Sequence, residues 1–278
     1  NFFKDFGFKA ADFYKLISLN PQFEIIFSDG KLELPESFHE MKLLFEKLEK
    51  NAGEKLDKFM KSARFKYETG MKDFAQKPSS SWSEFISPRI VLSGLKLDLL
   101  SNFRSYVAKY FTNSKLKALM EFPVIFLGAA PKNIPALYSL MNYGGYVLGT
   151  HYPMGGFFKL VEGMQKVAQL EGTKFHFNQK VEKINTRNNL VTSIIVNGNQ
   201  YEFDVVISSS DYHHTETLLD KNVRNYAEKY WRKRTFAPSC LIYYLGFKEK
   251  VGNLKHHTLF FENDFDEHIE SIYVKKKW

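Results

Sequence analysis

The sequence predicts an α/β fold that combines a mixed sheet with a helical subdomain, in a chain of 278 residues. Three observations lead to this fold class. Residues 23–34 have the pattern of a β-hairpin, residues 35–114 carry apolar side chains at helical spacing, and residues 157–208 read as one helix followed by short strands. Since these patterns occupy separate stretches of the chain, we expect four regions, which are 1–34, 35–148, 149–215 and 216–278.

The first two regions are predicted to change from a sheet to helices near Pro35. A short helical stretch over 10–17 precedes the hairpin, whose two apolar runs in FEIIFSDGKLEL flank Asp29-Gly30, a typical turn dipeptide. Apolar residues then recur every three or four positions, at Phe38, Met41, Leu44, Phe45, Leu48, Leu56, Phe59, Met60 and Ala63. This spacing predicts helices that bury one face.

The third region is predicted to contain a helix and then several strands. YPMGG at 152–156 precedes a helix whose apolar stripe runs from Phe157 to Ala168 and which Gly172 closes. Asn188-Asn189 and Asn197-Gly198 are two-residue turn signals between strands. The expected strands are 173–177, 180–186, 190–196, 201–210 with a strongly buried part at 205–208, and, in the fourth region, 239–247.

Composition and charge exclude several classes of function. The formal net charge is +8, but the lysines are scattered among acidic residues and no nucleic-acid-binding motif is present, so we expect no nucleic-acid partner. Cys240 is the only cysteine, which argues against disulfides and favours the cytoplasm. The longest apolar stretch, 122–131, has about half the length that a bilayer span needs.

The histidine pairs and the aromatic residues each allow two interpretations. His213-His214 and His256-His257 could suggest a metal site, but adjacent side chains diverge, and we expect no metal. Aromatic residues make up 16% of the chain, with 27 Phe and 15 Tyr. Such a composition suits an aromatic-rich core, or a cavity for a large apolar ligand.

Seven blocks of the sequence occur in an order that is typical of one protein family. They include FFKDFGFKAADFYKL at 2–16, FPVIFLGAAPKNIPALYSLMNY at 122–143, GTHYPMGGFFKLVEGM at 149–164 and FDVVISSSDYHHTE at 203–216; the others are 178–184, 238–247 and 254–261. Together these blocks resemble the phytoene desaturase, or carotenoid dehydrogenase, family within the flavin-containing amine oxidase superfamily. The resemblance implies a flavoprotein fold.

The resemblance also implies an activity and a domain arrangement. The expected activity is the FAD-dependent dehydrogenation of a carotenoid precursor such as phytoene. Residues 1–34 and 216–278 would be strands of the substrate domain, 35–148 a helical substrate and membrane subdomain, and 149–215 a segment of the FAD domain. The family's glycine-rich pyrophosphate loop would precede Asn1 and a second glycine-rich, flavin-contacting segment would follow Trp278, and no G-x-G occurs in the chain. We therefore expect residues 1–278 to be an internal fragment that is inactive by itself.

The resemblance assigns cofactor contacts to five residues. These are Gly155 and Gly156, the backbone of Val181, and Ser208 and Ser209. A tight helix entry is the alternative for the glycines, and a hydroxyl-capped loop is the alternative for the serines.

Catalytic and substrate residues are expected in the helical region. Glu84 and Arg89 are the candidates for an acid and base pair, with a surface salt bridge as the alternative. A tunnel for an apolar polyene would be lined by Phe122, Phe126, Leu127, Tyr138 and Met141, with core packing as the alternative. The whole enzyme would dock peripherally on a bilayer through apolar and basic residues of this region.

Two other functions stay open on the sequence. One is a different oxidoreductase of the same superfamily, similar to retinol saturase. The other is a flavin-free carotenoid- or lipid-binding protein that keeps only the apolar cavity.

Overall fold

A computed structural model describes residues 2–71, 75, 97–234, 239–261 and 264–275 of the chain. Helices and strands are mixed throughout these residues, which confirms the predicted fold class. Contacts divide the chain into two units. Unit 1 is Asn1–Met164 with Ala237–Trp278, and unit 2 is Gln165–Phe236. The sequence placed the boundaries differently, and the assignment of segments to a substrate and a cofactor domain stays a prediction.

The larger sheet of unit 1 joins segments that lie far apart in the sequence. Strands β2 (Phe23–Phe27) and β3 (Gly30–Leu34) form the predicted hairpin, with Phe27 paired to Gly30. Strand β8 (Thr258–Phe261) pairs with β2 in parallel, so that Glu24 lies opposite Thr258. Successive side chains of a strand alternate between faces. One face of this sheet, including Ile25 and the half-buried Phe27, therefore packs on the helical core.

The long helices of unit 1 confirm the helical spacing predicted from Phe38 to Ala63, whereas a short helix at the start of the chain was not predicted. Helix α1 spans Phe2–Asp5, α2 spans Phe38–Leu48 with Ser37 as its N-cap, and α3 spans Ala52–Thr69. The buried side chains of α2 and α3 recur at the predicted spacing of three and four: Met41, Phe45, Leu56, Phe59, Met60 and Ala63. The two helices thus bury one face each against a common core.

Short helices follow and close the core of unit 1. They are α4 (Phe103–Ala108), α5 (Ser114–Glu121) and α6 (Leu140–Asn142), with 3₁₀ turns at Phe122–Leu127, Pro131–Asn133 and Ala136–Ser139, and a π turn at Tyr143–Val147. Two polar residues connect them to the long helices. The carboxylate of Glu49 accepts hydrogen bonds from the backbone N–H groups of Thr112 and Asn113, and the Lys66 ammonium donates to the Ala136 carbonyl.

A second, two-stranded sheet of unit 1 leads into the longest helix after α3. Strand β1 (Leu16–Ser18) pairs with β4 (His151–Pro153) in antiparallel orientation. Helix α7 (Phe158–Leu170) follows β4, and Gly172 has a left-handed φ of +88° just after its end, as predicted. The expected helical stretch at 10–17 is only a 3₁₀ turn at Ala10–Asp12, because Leu16 onward pairs with β4. Near the C-terminus, α10 (Phe265–Glu270) leads into a π turn at Ser271–Lys275.

Unit 2 contains an antiparallel meander and two short helices. Strands β5 (Val181–Arg187), β6 (Leu190–Val196) and β7 (Asn199–Glu202) are joined by the two predicted turns. Asn188, Asn189, Asn197 and Gly198 all have positive φ, which is the type I′ geometry that suits a twisted hairpin. Helices α8 (Tyr212–Thr217) and α9 (Glu228–Trp231) follow, with a 3₁₀ turn at Lys221–Val223 between them.

The strands expected at 173–177 and 239–247 are wrong, and of the strand expected at 201–210 only residues 201–202 lie in a strand, β7. Residues 173–177, 205–208 and 239–247 form no strand, and Ile207 is 90% exposed where a strongly buried strand was expected. Apolar and β-branched composition favours an extended backbone, but a strand also needs the edge of a neighbour for its hydrogen bonds. Within the described residues no edge pairs with these three segments.

No helix in the described part of the chain is long and apolar enough to cross a membrane.

Candidate functional site

A row of aromatic rings runs through unit 1 and connects blocks that are distant in the sequence. We call it the aromatic ladder. In order, its members are Phe157, Tyr152, His256, His257, Phe23 and Phe122, after which the row branches to Phe126 and to Phe261 and Phe265. Neighbouring ring centroids are 4.3 to 6.5 Å apart, the range in which aromatic pairs attract each other.

The sheet and the short helices of unit 1 position the ladder. Phe23 lies on β2 and Phe261 on β8, so the parallel pairing of these strands brings both rings to one face. Phe122 follows α5 directly and contacts Phe23, Phe126 and Phe261, which makes it the branch point. Phe122 is buried, whereas Phe126 is 75% exposed, so one branch of the ladder emerges at the surface.

His257 contributes a neutral ring to the ladder. Burial lowers the pKa of His257, and the neighbouring His256 acts in the same direction. The Nδ1 atom is buried, and in the described parts of the chain it has no hydrogen-bond partner. An imidazole whose pKa lies below its usual range is uncharged near pH 7. The His257 ring can therefore form part of an apolar wall.

The other end of the ladder reaches the YPMGG turn. Gly155 and Gly156 have φ of +89° and +96°, a conformation that L side chains rarely adopt. The N–H of Gly156 donates to the Pro153 carbonyl, and the N–H of Lys159 donates to the Gly156 carbonyl. The turn therefore leads from β4 directly into α7, and both glycines are required by backbone geometry alone.

The glycine turn fits one part of the cofactor that the sequence resemblance implies. A Cβ at Gly156 would meet only the Tyr152 hydroxyl, at 3.7 Å, and at Gly155 the nearest atoms belong to the flexible Lys159 side chain. Met154 and Phe157 beside the turn are exposed. Open backbone with apolar neighbours suits the face of a planar ring, whereas a pyrophosphate would need the donors of a G-x-G loop, which the chain does not contain.

The remaining expected cofactor residues belong to unit 2. Val181 is half-buried at the start of β5, where it pairs with Val196. Ser208 is exposed, and its Oγ lies 2.7 Å from the Thr215 hydroxyl. Ser209 is exposed as well. The hydroxyl-capped loop that was the alternative for Ser208 is thus present, while contact of these three residues with a cofactor stays a prediction.

The expected tunnel residues fall into two groups. Phe122 and Phe126 are neighbours in the ladder, and Leu127 is exposed next to Phe126. Tyr138 and Met141 are half-buried and pack against the helical core. Glu84 and Arg89, the expected catalytic pair, lie outside the described residues. The expectation that Phe122, Phe126, Leu127, Tyr138 and Met141 line a substrate tunnel stays a prediction.

A cavity of about 540 Å³ opens at the Phe261 and Phe265 end of the ladder. Arg104 in its wall pairs with Glu121 at 3.1 Å and also with Asp266. Burial raises the pKa of Glu121, and the charge of Arg104 opposes this shift. Charged groups thus border this branch, whereas the Phe126 branch is apolar.

The described residues contain no cluster of three or more His, Cys, Asp or Glu side chains that could hold a metal ion. His256 and His257 instead contact each other edge-on, and they also contact Tyr152 and Phe23, respectively. Sequence reasoning considered these histidines only as metal ligands and missed Phe23 and Tyr152. The signal was available in part, because the aromatic content is high and the histidines adjoin an apolar strand.

Comparisons with known proteins match almost the whole chain. The family model described as flavin containing amine oxidoreductase matches residues 1–272. A carotenoid 3,4-desaturase of Haloarcula japonica is 32% identical over 100% of this chain and 57% of its own length. A 4,4'-diapophytoene desaturase of Staphylococcus haemolyticus is 26% identical over 99% of this chain and 56% of its own.

The chain thus spans a little over half the length of these relatives. A solved oxidoreductase of Methanosarcina mazei covers 74% of this chain and 43% of its own, with 15% identity and a TM-score of 0.47.

Proposed function

The chain belongs to the flavin-containing amine oxidoreductase family, and on this premise we propose that the whole protein is an FAD-dependent desaturase of a carotenoid precursor. Two relatives that it resembles over nearly its full length have names that describe desaturation of carotenoids or related polyenes. A phytoene-like polyene is the proposed substrate. FAD, when bound, supplies the hydride acceptor.

The aromatic ladder is the observation that carries this proposal. A polyene is a long, rigid and apolar ligand, so its site needs an extended apolar wall rather than a compact pocket. The ladder supplies such a wall, from the glycine turn at one end to the exposed Phe126 at the other. Because the turn leaves backbone open beside Phe157, a planar cofactor ring and one end of a polyene could lie together there.

The chain's own residues bind and orient the substrate in this proposal. Phe126 receives the polyene at the surface, and the buried Phe122 directs it toward the neutral ring of His257. Rings on one side of the ladder exclude water along the polyene. Gly155 and Gly156 allow close approach at the reacting end. Glu84 and Arg89 remain the proposed acid and base pair, outside the described residues.

The proposed partner of the helical region is a membrane surface. The substrate dissolves in lipid, so the protein has to collect it from a bilayer without spanning it. Exposed apolar side chains of unit 1, such as Leu43, Phe65 and Phe126, suit a shallow contact. We propose a cytoplasmic protein that is peripherally associated with the membrane.

The test replaces Phe126 in the whole protein. Phe126→Ala removes a ring that is largely exposed, so the folded state should keep its Tm, while polyene contact is lost. We expect a KM for phytoene about tenfold higher, which corresponds to ~1.4 kcal/mol. Leu190→Ala is the matched control, because Leu190 is an equally exposed apolar residue outside the ladder.

The outcomes separate the proposal from its alternatives. An unchanged KM in Phe126→Ala would remove the ladder from the substrate site. Purified protein that binds polyene but carries no flavin would instead support the flavin-free binding protein. Oxidation of reduced flavin by a retinoid, without desaturation of a carotenoid, would support the retinol-saturase-like oxidoreductase.

A further inference from the structure

Lysines are scattered over most of the chain, but one short segment of unit 2 is an exception in which positive charge is concentrated. Residues 221–234 contain six basic residues and one acidic residue, so this segment has a net charge of +5 in a chain whose formal net charge is +8. The basic residues are Lys221, Arg224, Lys229, Arg232, Lys233 and Arg234. The segment covers the 3₁₀ turn at Lys221–Val223 and helix α9.

Most of this charge has no ion-pair partner in the part of the chain that the structure describes. The single acidic residue, Glu228, pairs with Arg224 at 3.3 Å. Lys229, Arg232 and Lys233 are exposed and take part in no ion pair among the described residues. Such an array attracts a negatively charged surface.

The basic residues adjoin a cluster of packed aromatic rings. Tyr226 and Tyr230 stack at a centroid distance of 4.0 Å, and Trp231 contacts both rings. The buried carboxylate of Glu216 anchors the cluster, because it accepts hydrogen bonds from the Trp231 indole N–H and from the Tyr226 backbone N–H. We call the cluster and the basic residues of 221–234 the aromatic-basic patch.

We propose that the aromatic-basic patch docks on an anionic membrane surface. Lysine and arginine near a bilayer are attracted by anionic headgroups, and Tyr and Trp favour the interface because their rings are apolar and their tips are polar. This proposal rests on the proposed function in one respect, which is that the substrate of the whole protein is a lipid-soluble polyene. It adds a second contact surface, in unit 2, to the helical region.

A nucleic acid is the other polyanion that basic and aromatic residues can bind, and the geometry disfavours it. Single-stranded binding needs free aromatic faces on which bases stack. In the patch the faces of Tyr226 and Tyr230 cover each other, at an interplanar angle of 16°. The guanidinium of Arg234 lies 4.1 Å from the Tyr230 ring centroid. One face of Tyr226 and of Tyr230 is therefore unavailable for stacking with a base, and Arg234 also lies against the Tyr230 ring.

The experiment measures sedimentation of the whole protein with vesicles, without any substrate. One vesicle population is phosphatidylcholine alone, and the other also contains phosphatidylglycerol. The triple variant Lys229→Glu, Arg232→Glu, Lys233→Glu should bind the anionic vesicles at least about tenfold more weakly than the parent. The matched control reverses Lys166, Lys174 and Lys180, which are exposed lysines of the same unit with the same change in net charge.

The parent should bind anionic vesicles more tightly than neutral ones, and about 0.5 M salt should remove the difference by screening. That salt dependence needs no variant, so it stands even if the triple variant folds poorly. Equal binding to both vesicles, an equal loss in the control, or displacement of the protein from vesicles by an oligonucleotide would overturn the proposal. Vesicle binding without desaturase activity would contradict the proposed function and leave the patch intact.

Discussion

The buried Lys66 provides the sharpest test of how unit 1 is held together. Lys66 is completely buried in α3, and its ammonium pairs with Asp98 at 2.9 Å. It also donates to the Ser139 hydroxyl and lies 4.0 Å from the centroid of the Tyr106 ring. Asp98→Asn would leave this ammonium buried without a counter-charge. Asn is a suitable substitute, because Asp98 has a left-handed φ of +51° that Asn tolerates.

The expected loss follows from the pair's geometry. At 2.9 Å and an effective dielectric constant of ~20, the gross attraction is about 6 kcal/mol. Asp98 is 28% exposed, so solvent screens part of this attraction. We therefore expect Asp98→Asn to lower the free energy of unfolding by about 2 to 4 kcal/mol at pH 7. Urea unfolding, followed by circular dichroism, measures this loss in the whole protein.

The dependence on pH has a defined sign. Burial lowers the pKa of Lys66, and the hydrogen bond to Asp98 opposes that shift. Between the folded pKa and the ordinary value near 10.5, the unfolded chain binds more protons, so stability rises with pH in this window. Asp98→Asn lowers the folded pKa further. The difference in free energy of unfolding between the parent and Asp98→Asn should therefore shrink as the pH rises toward 10.

A double-mutant cycle decides whether the pair is the cause. Lys66→Met removes the buried charge, and Asp98→Asn in that background should then cost less than about 0.5 kcal/mol. The reasoning is refuted if Asp98→Asn unfolds like the parent at pH 7, or if the two substitutions have additive effects.

Three further predictions concern single side chains, and each is measured by denaturant unfolding. Burial alone would raise the pKa of Glu49, but hydrogen bonds from Lys55, Asn113 and Thr112 lower it to about 2. Glu49→Gln should lower the free energy of unfolding by about 1 to 2 kcal/mol at pH 7, and this loss should disappear as the pH falls from 4.5 toward 2. A loss that stays constant with pH would contradict this account. Gly155→Ala should lower the free energy of unfolding by about 1 to 2 kcal/mol, because Gly155 has a positive φ. In the control Gly145→Ala, where the residue has open space and an ordinary φ, the free energy of unfolding should not change. Equal effects of the two substitutions would exclude backbone strain. Arg104→Leu should lower the free energy of unfolding by about 3 kcal/mol at pH 7. The loss should be smaller near pH 5, because the buried Glu121 has a raised pKa and can take up a proton. A loss that does not depend on pH would show that Glu121 is not its cause.

Local sequence patterns predicted much of the fold because they act over a few residues. Asn188-Asn189 and Asn197-Gly198 determine their own turns through positive φ, and the apolar spacing of α2 and α3 identifies the faces that they bury. The blocks that resemble the desaturase family also lie in continuous stretches. Their order was sufficient to predict the family without any distance information.

The strands at 205–208 and 239–247 show where such patterns fail. Their apolar composition is that of buried strands, yet in the described residues no neighbouring edge pairs with either segment. β-propensity is a property of a single segment, whereas a strand forms only when the backbones of two segments pair.

By itself, the sequence determined the family, the hairpin, the long helices and the type I′ turns of this protein. Only the tertiary structure decided that Phe23, Phe122, Tyr152 and His257 belong to one aromatic row. The reason is that these residues come from four separate segments, and the parallel pairing of β2 with β8 joins positions more than 200 residues apart. Periodicity cannot report such a contact, since it depends on which edges and faces meet when the whole chain packs.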